Sequence, residues 1–157
     1  AGIVGGRAPA VGALVGALVF FALLRAVSPA LALAAMAFRL AQAVLIGASL
    51  TALASAPALL TDAPRMAVHM TTLHGIGYDV GLILFAVSSA IMAVLLWRTA
   101  VPKAIAAGIA ASALVYAIGS LTRLVVPDWI GVIEPAYIVP MLAESALCLW
   151  LLIRARI

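Results

Sequence analysis

The sequence predicts an all-α fold, a polytopic transmembrane helix bundle of five helices, and three observations lead there. Five apolar blocks fill nearly all of the 157 residues, each close to the ~20 residues a helix needs to cross the hydrocarbon core of a bilayer. Only 9% of the residues are charged, where a soluble domain carries about a quarter. The blocks are also roughly twice the length of a membrane β-strand, and lipid admits only helices or closed barrels because it offers no water to unpaired backbone groups. With 68% hydrophobic residues there is no room for a water-soluble domain, so residues 1–157 read as one transmembrane domain.

The first span is expected from about Ala8 to Leu24. It resembles the apolar region of a signal peptide, but Arg25 follows it without a small-residue cleavage site, so a true span is expected. Arg25 to Pro29 makes a tight turn in which Ser28 is the expected N-cap and Pro29 opens span two, which runs to about Ala54. The stretch 55–65 carries Pro57, Asp62 and Pro64 and reads as a polar loop. Span three, from about Met66 to Trp97, is roughly 48 Å long at 1.5 Å per residue. It should therefore stand partly in the interface or bend at Gly75 and Gly77. Pro102 opens span four, which ends near Val126 and Pro127. A loop with Trp129, Glu134 and Pro135 leads to span five, about Ala136 to Ile153, where Pro140 is expected to interrupt the helix.

Charge orients the bundle. One end carries Arg25, Arg98, Lys103, Arg154 and Arg156 with no acid, whereas the other carries Arg7, Arg65 and Arg123 beside Asp62, Asp128 and Glu134. The positive-inside bias makes the first end cytoplasmic. The expected location is a bacterial inner membrane, crossed several times, with the C-terminus cytoplasmic. An odd number of spans beginning outside suggests one earlier helix that this chain does not carry. Net charge is +4, but its basic residues fall between the apolar blocks instead of clustering on a face, which argues against nucleic acid. The single Cys148 excludes an intrachain disulfide and is expected as a small buried thiol.

Ionisable groups at membrane depth are costly and mark the residues worth weighing. Arg39 and Glu144 each lie roughly 15 Å from the cytoplasmic ends of their spans, near the midplane. A lone charge there costs at least about 2.5–3.5 kcal/mol, so the two are expected to pair, with Gln42 one turn from Arg39 extending the network. This is the first candidate site, either an ion pair that fixes packing or a polar site for a ligand headgroup or a proton. The second is an outer-interface cluster of His74, Tyr78, Asp79 and Arg123, in which Asp79 pairs with Arg123 and His74 shares a face with Tyr78 at i, i+4. No metal or haem cofactor is expected: His69 and His74 point about 140° apart on a helix, and the other spans hold no histidine. The serines sit in helices, without a nucleophile elbow. Gly12 with Gly16, and Gly77 with Gly81, form the small-xxx-small pattern of close helix packing.

The ordered motifs resemble a bacterial membrane family known as domain of unknown function 4386. They are Ala37-Phe38-Arg39-Leu40-Ala41-Gln42-Ala43, His74-Gly75-Ile76-Gly77-Tyr78, Gly81-Leu82-Ile83-Leu84-Phe85, Trp97-Arg98-Thr99 with Val101-Pro102, Arg123 with Val126-Pro127, and Glu144 with Leu149-Trp150-Leu151-Leu152. The resemblance implies a six-helix fold whose N-terminal helix is absent here. It also implies a glutamate where Gln42 stands, so Arg39 lacks that local carboxylate and Glu144 becomes its expected partner. It implies no reaction.

Three classes of function follow. The leading one is a small integral membrane protein with a structural or accessory role, in contact with membrane lipids and serving as a subunit of a larger membrane protein complex. The alternative is a lipid or small-molecule binder or transporter using Arg39 and Glu144. The third is an intramembrane lipid-modifying enzyme using His74, Asp79 and Arg123; the sequence favours no enzyme. The charge asymmetry carries its own test. In a Cys148→Ser background, Asp62→Cys should label from outside intact cells and Lys103→Cys only from inside; outside labelling at 103 reverses the orientation.

Overall fold

The computed structural model describes residues 15–154, and Arg7, Gly12, Arg156 and the start of span one lie outside them. Its elements are α1 (Val15–Leu24), α2 (Pro29–Ser55), α3 (Pro64–Trp97), α4 (Lys103–Val125), a short α5 (Ile130–Ile133) and α6 (Ile138–Arg154). The fold is 90% helical, with no strand among the described residues. This is what lipid demands, since a helix satisfies its own backbone. Four helical stretches are long and apolar enough to cross a membrane: Pro29–Leu59, Pro64–Trp97, Lys103–Val125 and Pro127–Arg154. The protein is thus a multi-pass membrane protein by length and composition.

Proline marks the beginnings. Pro29 and Pro64 stand in the first turns of α2 and α3, Pro102 is the N-cap of α4, and Pro140 falls in the first turn of α6. The first four N–H groups of a helix have no partner within it, so a proline there removes a donor that lipid could not satisfy. Ser28 occupies the N-cap of α2 in an extended conformation, but its hydroxyl makes no capping bond; Pro29 carries the start signal.

The expectations for Pro140, for the stretch 127–137 and for Cys148 are corrected. Pro140 does not interrupt span five, because the helix begins only at Ile138 and the proline sits in its first turn. The stretch 127–137 is not an open loop but a series of single helical turns, Pro127–Trp129, Ile130–Ile133 and Glu134–Tyr137. Helix α3 is continuous from Pro64 to Trp97, Gly75 and Gly77 included. Cys148 is exposed on the outer side of α6, beside Leu149 and Leu152, instead of buried. In a bilayer that side meets lipid, so the thiol still has apolar surroundings.

Helix α3 is the central element. Half of its spanning window is buried, against 22%, 33% and 17% for the windows containing α2, α4 and α6. It packs on α2 and on α4, and α6 packs on α4. Lipid tails are as apolar as leucine, so association rests on close packing and interhelical hydrogen bonds. The sequence supplies both. A Cβ at Gly77 would meet the Ser49 Cβ at 2.7 Å, and one at Gly81 would meet Ile46 Cγ1 at 2.7 Å, so these glycines bring α3 onto α2. Gly108 plays the same part between α4 and α6, where a Cβ would lie 2.9 Å from that of Ala143. The Ser88 hydroxyl donates to the Ala35 carbonyl at 2.8 Å across the buried α2–α3 contact.

The apolar core gathers towards the end where α1 meets α2 and α3 meets α4. Leu24, Met92, Leu95, Leu96, Ile109 and Leu147 are buried there, with Phe20, Phe21 and Trp150 packed against them. The glycines give a paired test. Gly77→Ala should lower detergent stability by about 1–3 kcal/mol, the cost of overpacking. Gly75→Ala, whose Cβ meets nothing within 4 Å, should leave it unchanged or raise it by up to about 1 kcal/mol through helix propensity. Thermal melts of both variants decide it, and equal effects would remove Gly77 from its packing role.

Candidate functional site

Antiparallel helices bring the midplane residues to one level. Counting from the basic end of the bundle, Arg39 on α2, Phe85 on α3, Tyr116 on α4 and Glu144 on α6 stand roughly 15–20 Å deep at 1.5 Å per residue. Asp79, Arg123 and Tyr137 lie roughly 25–30 Å from that end.

Arg39 and Glu144 do not close to salt-bridge distance; the ion pair found among the described residues within 4.0 Å is Arg123 with Asp79. The reason lies in aromatic neighbours that the expectation did not include. The Arg39 guanidinium carbon stands 4.5 Å from the Phe85 ring centroid and 5.5 Å from that of Phe20. A ring face attracts a cation through its quadrupole, by up to ~2 kcal/mol when both are desolvated. Glu144 faces the Tyr116 hydroxyl instead, with no closed hydrogen bond, and both are within electrostatic reach of Arg39. Gln42 is buried, and its Oε1 finds no hydrogen-bond partner. The α1 side of Arg39 is well packed: the cavity there, lined by Phe20, Met36, Ser88 and Met92 among others, encloses about 10 Å³, space for roughly one water at most.

The outer-interface residues fall into two groups. Asp79 is buried on the α4 side of α3, where its Oδ1 accepts from Arg123 Nη1 at 3.3 Å. Arg123 Nη2 donates to the Tyr137 hydroxyl at 3.1 Å, and its guanidinium carbon lies 5.6 Å from the Tyr137 ring centroid. Gly119 makes room for that tyrosine, since a Cβ there would lie 2.9 Å from Tyr137 Cζ. The fully buried Ser120 hydroxyl is directed towards Asp79 without closing a bond. His74 turns the other way. Its Nδ1 is 3.1 Å from the Ser49 hydroxyl on α2, which also donates to the Ile46 carbonyl. The Tyr78 ring centroid lies 6.1 Å from that of His74. His74 and Asp79 are five residues apart, about 140° around the helix, so they do not act on one substrate atom.

The two levels are joined by aromatic rings. Phe85 meets Tyr116 edge-on at 5.1 Å between centroids, and Tyr116 meets Tyr137 at 6.0 Å. A ladder therefore leads from Arg39 through Phe85, Tyr116 and Tyr137 to Arg123 and Asp79. Sequence reasoning missed Phe20, Phe85, Tyr116, Tyr137 and Ser49. Within one span such residues read as ordinary apolar or interfacial positions. The available signal was an arginine at midplane with aromatics at matching depth on other spans. Among the described residues, no group of three His, Cys, Asp or Glu side chains is placed to hold a metal.

The matching family model is described as domain of unknown function (DUF4386) and covers residues 1–155. The chain belongs to this family. No curated protein matches it, and no solved structure does. In this DUF4386 chain the Asp79–Arg123–Tyr137 contact is a polar link that joins α3, α4 and the approach to α6. Asp79→Ala should lower stability by about 1.5–3 kcal/mol, the range for a hydrogen bond to a charged group. Tyr137→Phe should cost about 1 kcal/mol. A double-mutant cycle with Arg123→Ala measures the coupling, and additive effects would show that the groups do not act together.

Proposed function

We propose that this membrane protein binds or passes a small polar molecule or lipid headgroup at a midplane site formed by Arg39, Gln42 and Glu144, with Tyr116 as the fourth member. The observation that carries this reading is the unused polar capacity at that depth. Arg39 and Glu144 are near each other without touching, and the buried Gln42 Oε1 has no partner. Buried polar groups are almost always hydrogen-bonded, so an unpartnered one calls for a water, ion or ligand. The arrangement suits a ligand with an acceptor for the Arg39 guanidinium and a donor for Glu144 and the Gln42 oxygen. The cytoplasmic orientation of the basic end, in a bacterial inner membrane, belongs to the same proposal.

A second reading, the accessory subunit, rests on α6. Only 17% of its spanning window is buried, and Met141, Leu142, Leu149, Leu152 and Ile153 are all more than half exposed. Such a face suits lipid or the helix of a partner protein. An enzyme acting through His74, Asp79 and Arg123 has less support, because His74 and Asp79 face different helices.

The discriminating variant is the double substitution Arg39→Met, Glu144→Leu. Replacing a buried polar set by packed apolar residues is often neutral or stabilising, so the melting temperature should hold or rise. The single variant Arg39→Ala should lose about 1–3 kcal/mol through its two ring contacts. Native mass spectrometry of protein extracted with its lipids should show a small-molecule or lipid adduct that the double variant lacks. Identical adducts in both proteins would overturn the binding site. A stoichiometric protein partner retained by both would favour the accessory role.

A further inference from the structure

A groove runs between α3 and α4 in the basic half of the bundle, with a volume of about 610 Å³ and open to the membrane. Ala90 and Ala93 on α3 and Ala106, Ala110 and Ala113 on α4 form its floor, and its basic end is closed by Trp97 and Arg98. We propose that this groove holds an acyl chain of an anionic phospholipid whose phosphate is bound by Arg98 and Lys103. The proposal is independent of the midplane site.

Three observations support it. The first is length. From Ala106 to Leu114 on α4, and from Ala90 to Arg98 on α3, the groove wall extends roughly 12 Å at 1.5 Å per residue, most of the roughly 15 Å of one leaflet's hydrocarbon. The second is depth. Trp97 stands at the end of α3, 51% exposed, where tryptophan marks the headgroup level. Arg98 follows it directly and makes no side-chain hydrogen bond or ion pair among the described residues. The third is charge. Lys103 donates to the Trp97 carbonyl and lies 5.7 Å from the Trp97 ring centroid. Its ammonium has three donors, which leaves two for a phosphate. Arg25, Arg98, Lys103 and Arg154 stand at this end without an acidic residue, so net negative headgroups are preferred over zwitterionic ones. The same charge disfavours a second copy of the chain as the occupant, because its own basic residues would arrive at the same depth.

Trp97 reports occupancy directly. With Trp129→Phe and Trp150→Phe it is the single tryptophan, and the protein can be reconstituted into phosphatidylcholine vesicles. Phosphatidylglycerol with brominated chains should quench its fluorescence at mole fractions at least about fivefold below brominated phosphatidylcholine, the factor for one basic residue at the surface. Arg98→Gln and Lys103→Gln should each reduce that preference by about fivefold, with unchanged helicity. Ala110→Phe, at an exposed position in the groove, should weaken quenching by both lipids. Equal quenching by the two lipids, or an undiminished preference in both glutamine variants, would overturn the proposal. So would the absence of quenching by either lipid together with disulfide dimers through Ala110→Cys in a Cys148→Ser background, which would place a second copy in the groove.

Discussion

The close approach of α2 and α3, made possible where Gly77 and Gly81 carry no side chain, is the contact on which the rest of the bundle depends. Water expulsion does not hold helices together inside lipid, so their surfaces must meet closely enough for dispersion and hydrogen bonds to act. The two glycines set that distance against Ser49 and Ile46. At that spacing the Ser88 hydroxyl reaches the Ala35 carbonyl and the Ser49 hydroxyl reaches His74. It also buries Gln42, whose backbone carbonyl would lie 3.7 Å from a Cβ at Gly81. A wider α2–α3 gap would separate these partners together.

The bundle is divided along its length. Its basic half is closed by leucines, alanines and aromatic rings around Leu95 and Ile109. From the midplane to the opposite end, arginine, carboxylate, tyrosine and serine groups occupy the interior. In hydrocarbon such groups are retained where they face a protein interior or a hydrated path. Arg39, Asp79, Arg123 and Tyr137 are each placed against a ring or another polar side chain, and among the described residues two buried atoms without a partner, Gln42 Oε1 and Ser120 Oγ, lie at the two levels of the ladder. The polar half is thus where recognition has something to act on.

Most of the fold was legible in the sequence because lipid leaves few alternatives. Apolar blocks of spanning length became helices, and prolines near their starts fixed the boundaries to within a few residues. The errors came where local signals conflict. Pro140 reads as a breaker inside an apolar run, but only the position of the helix start decides whether its missing N–H matters. Of the site, Asp79 with Arg123 was readable from matching depth on adjoining spans. The fate of Arg39 was not, because depth alone names a carboxylate partner while rotation about α1 and α3 decides whether phenylalanine rings reach the guanidinium first. Helix count and charge locate residues along the membrane normal; they say nothing of the angle around each axis.

That angle is where the prolines at the helix starts acquire a further meaning. Each residue advances the helix by about 100°, so a start displaced by a single residue would turn a side chain away from its neighbour and towards lipid. Proline forbids the preceding residue an easy helical conformation, and the first turn therefore cannot creep backwards. Pro29, preceded by the extended Ser28, acts in this way as a phase mark for Arg39; Pro140 does not, because Ile138 and Val139 before it are already helical. The rotational setting of Arg39 is written at the start of its helix, several turns away from Arg39 itself.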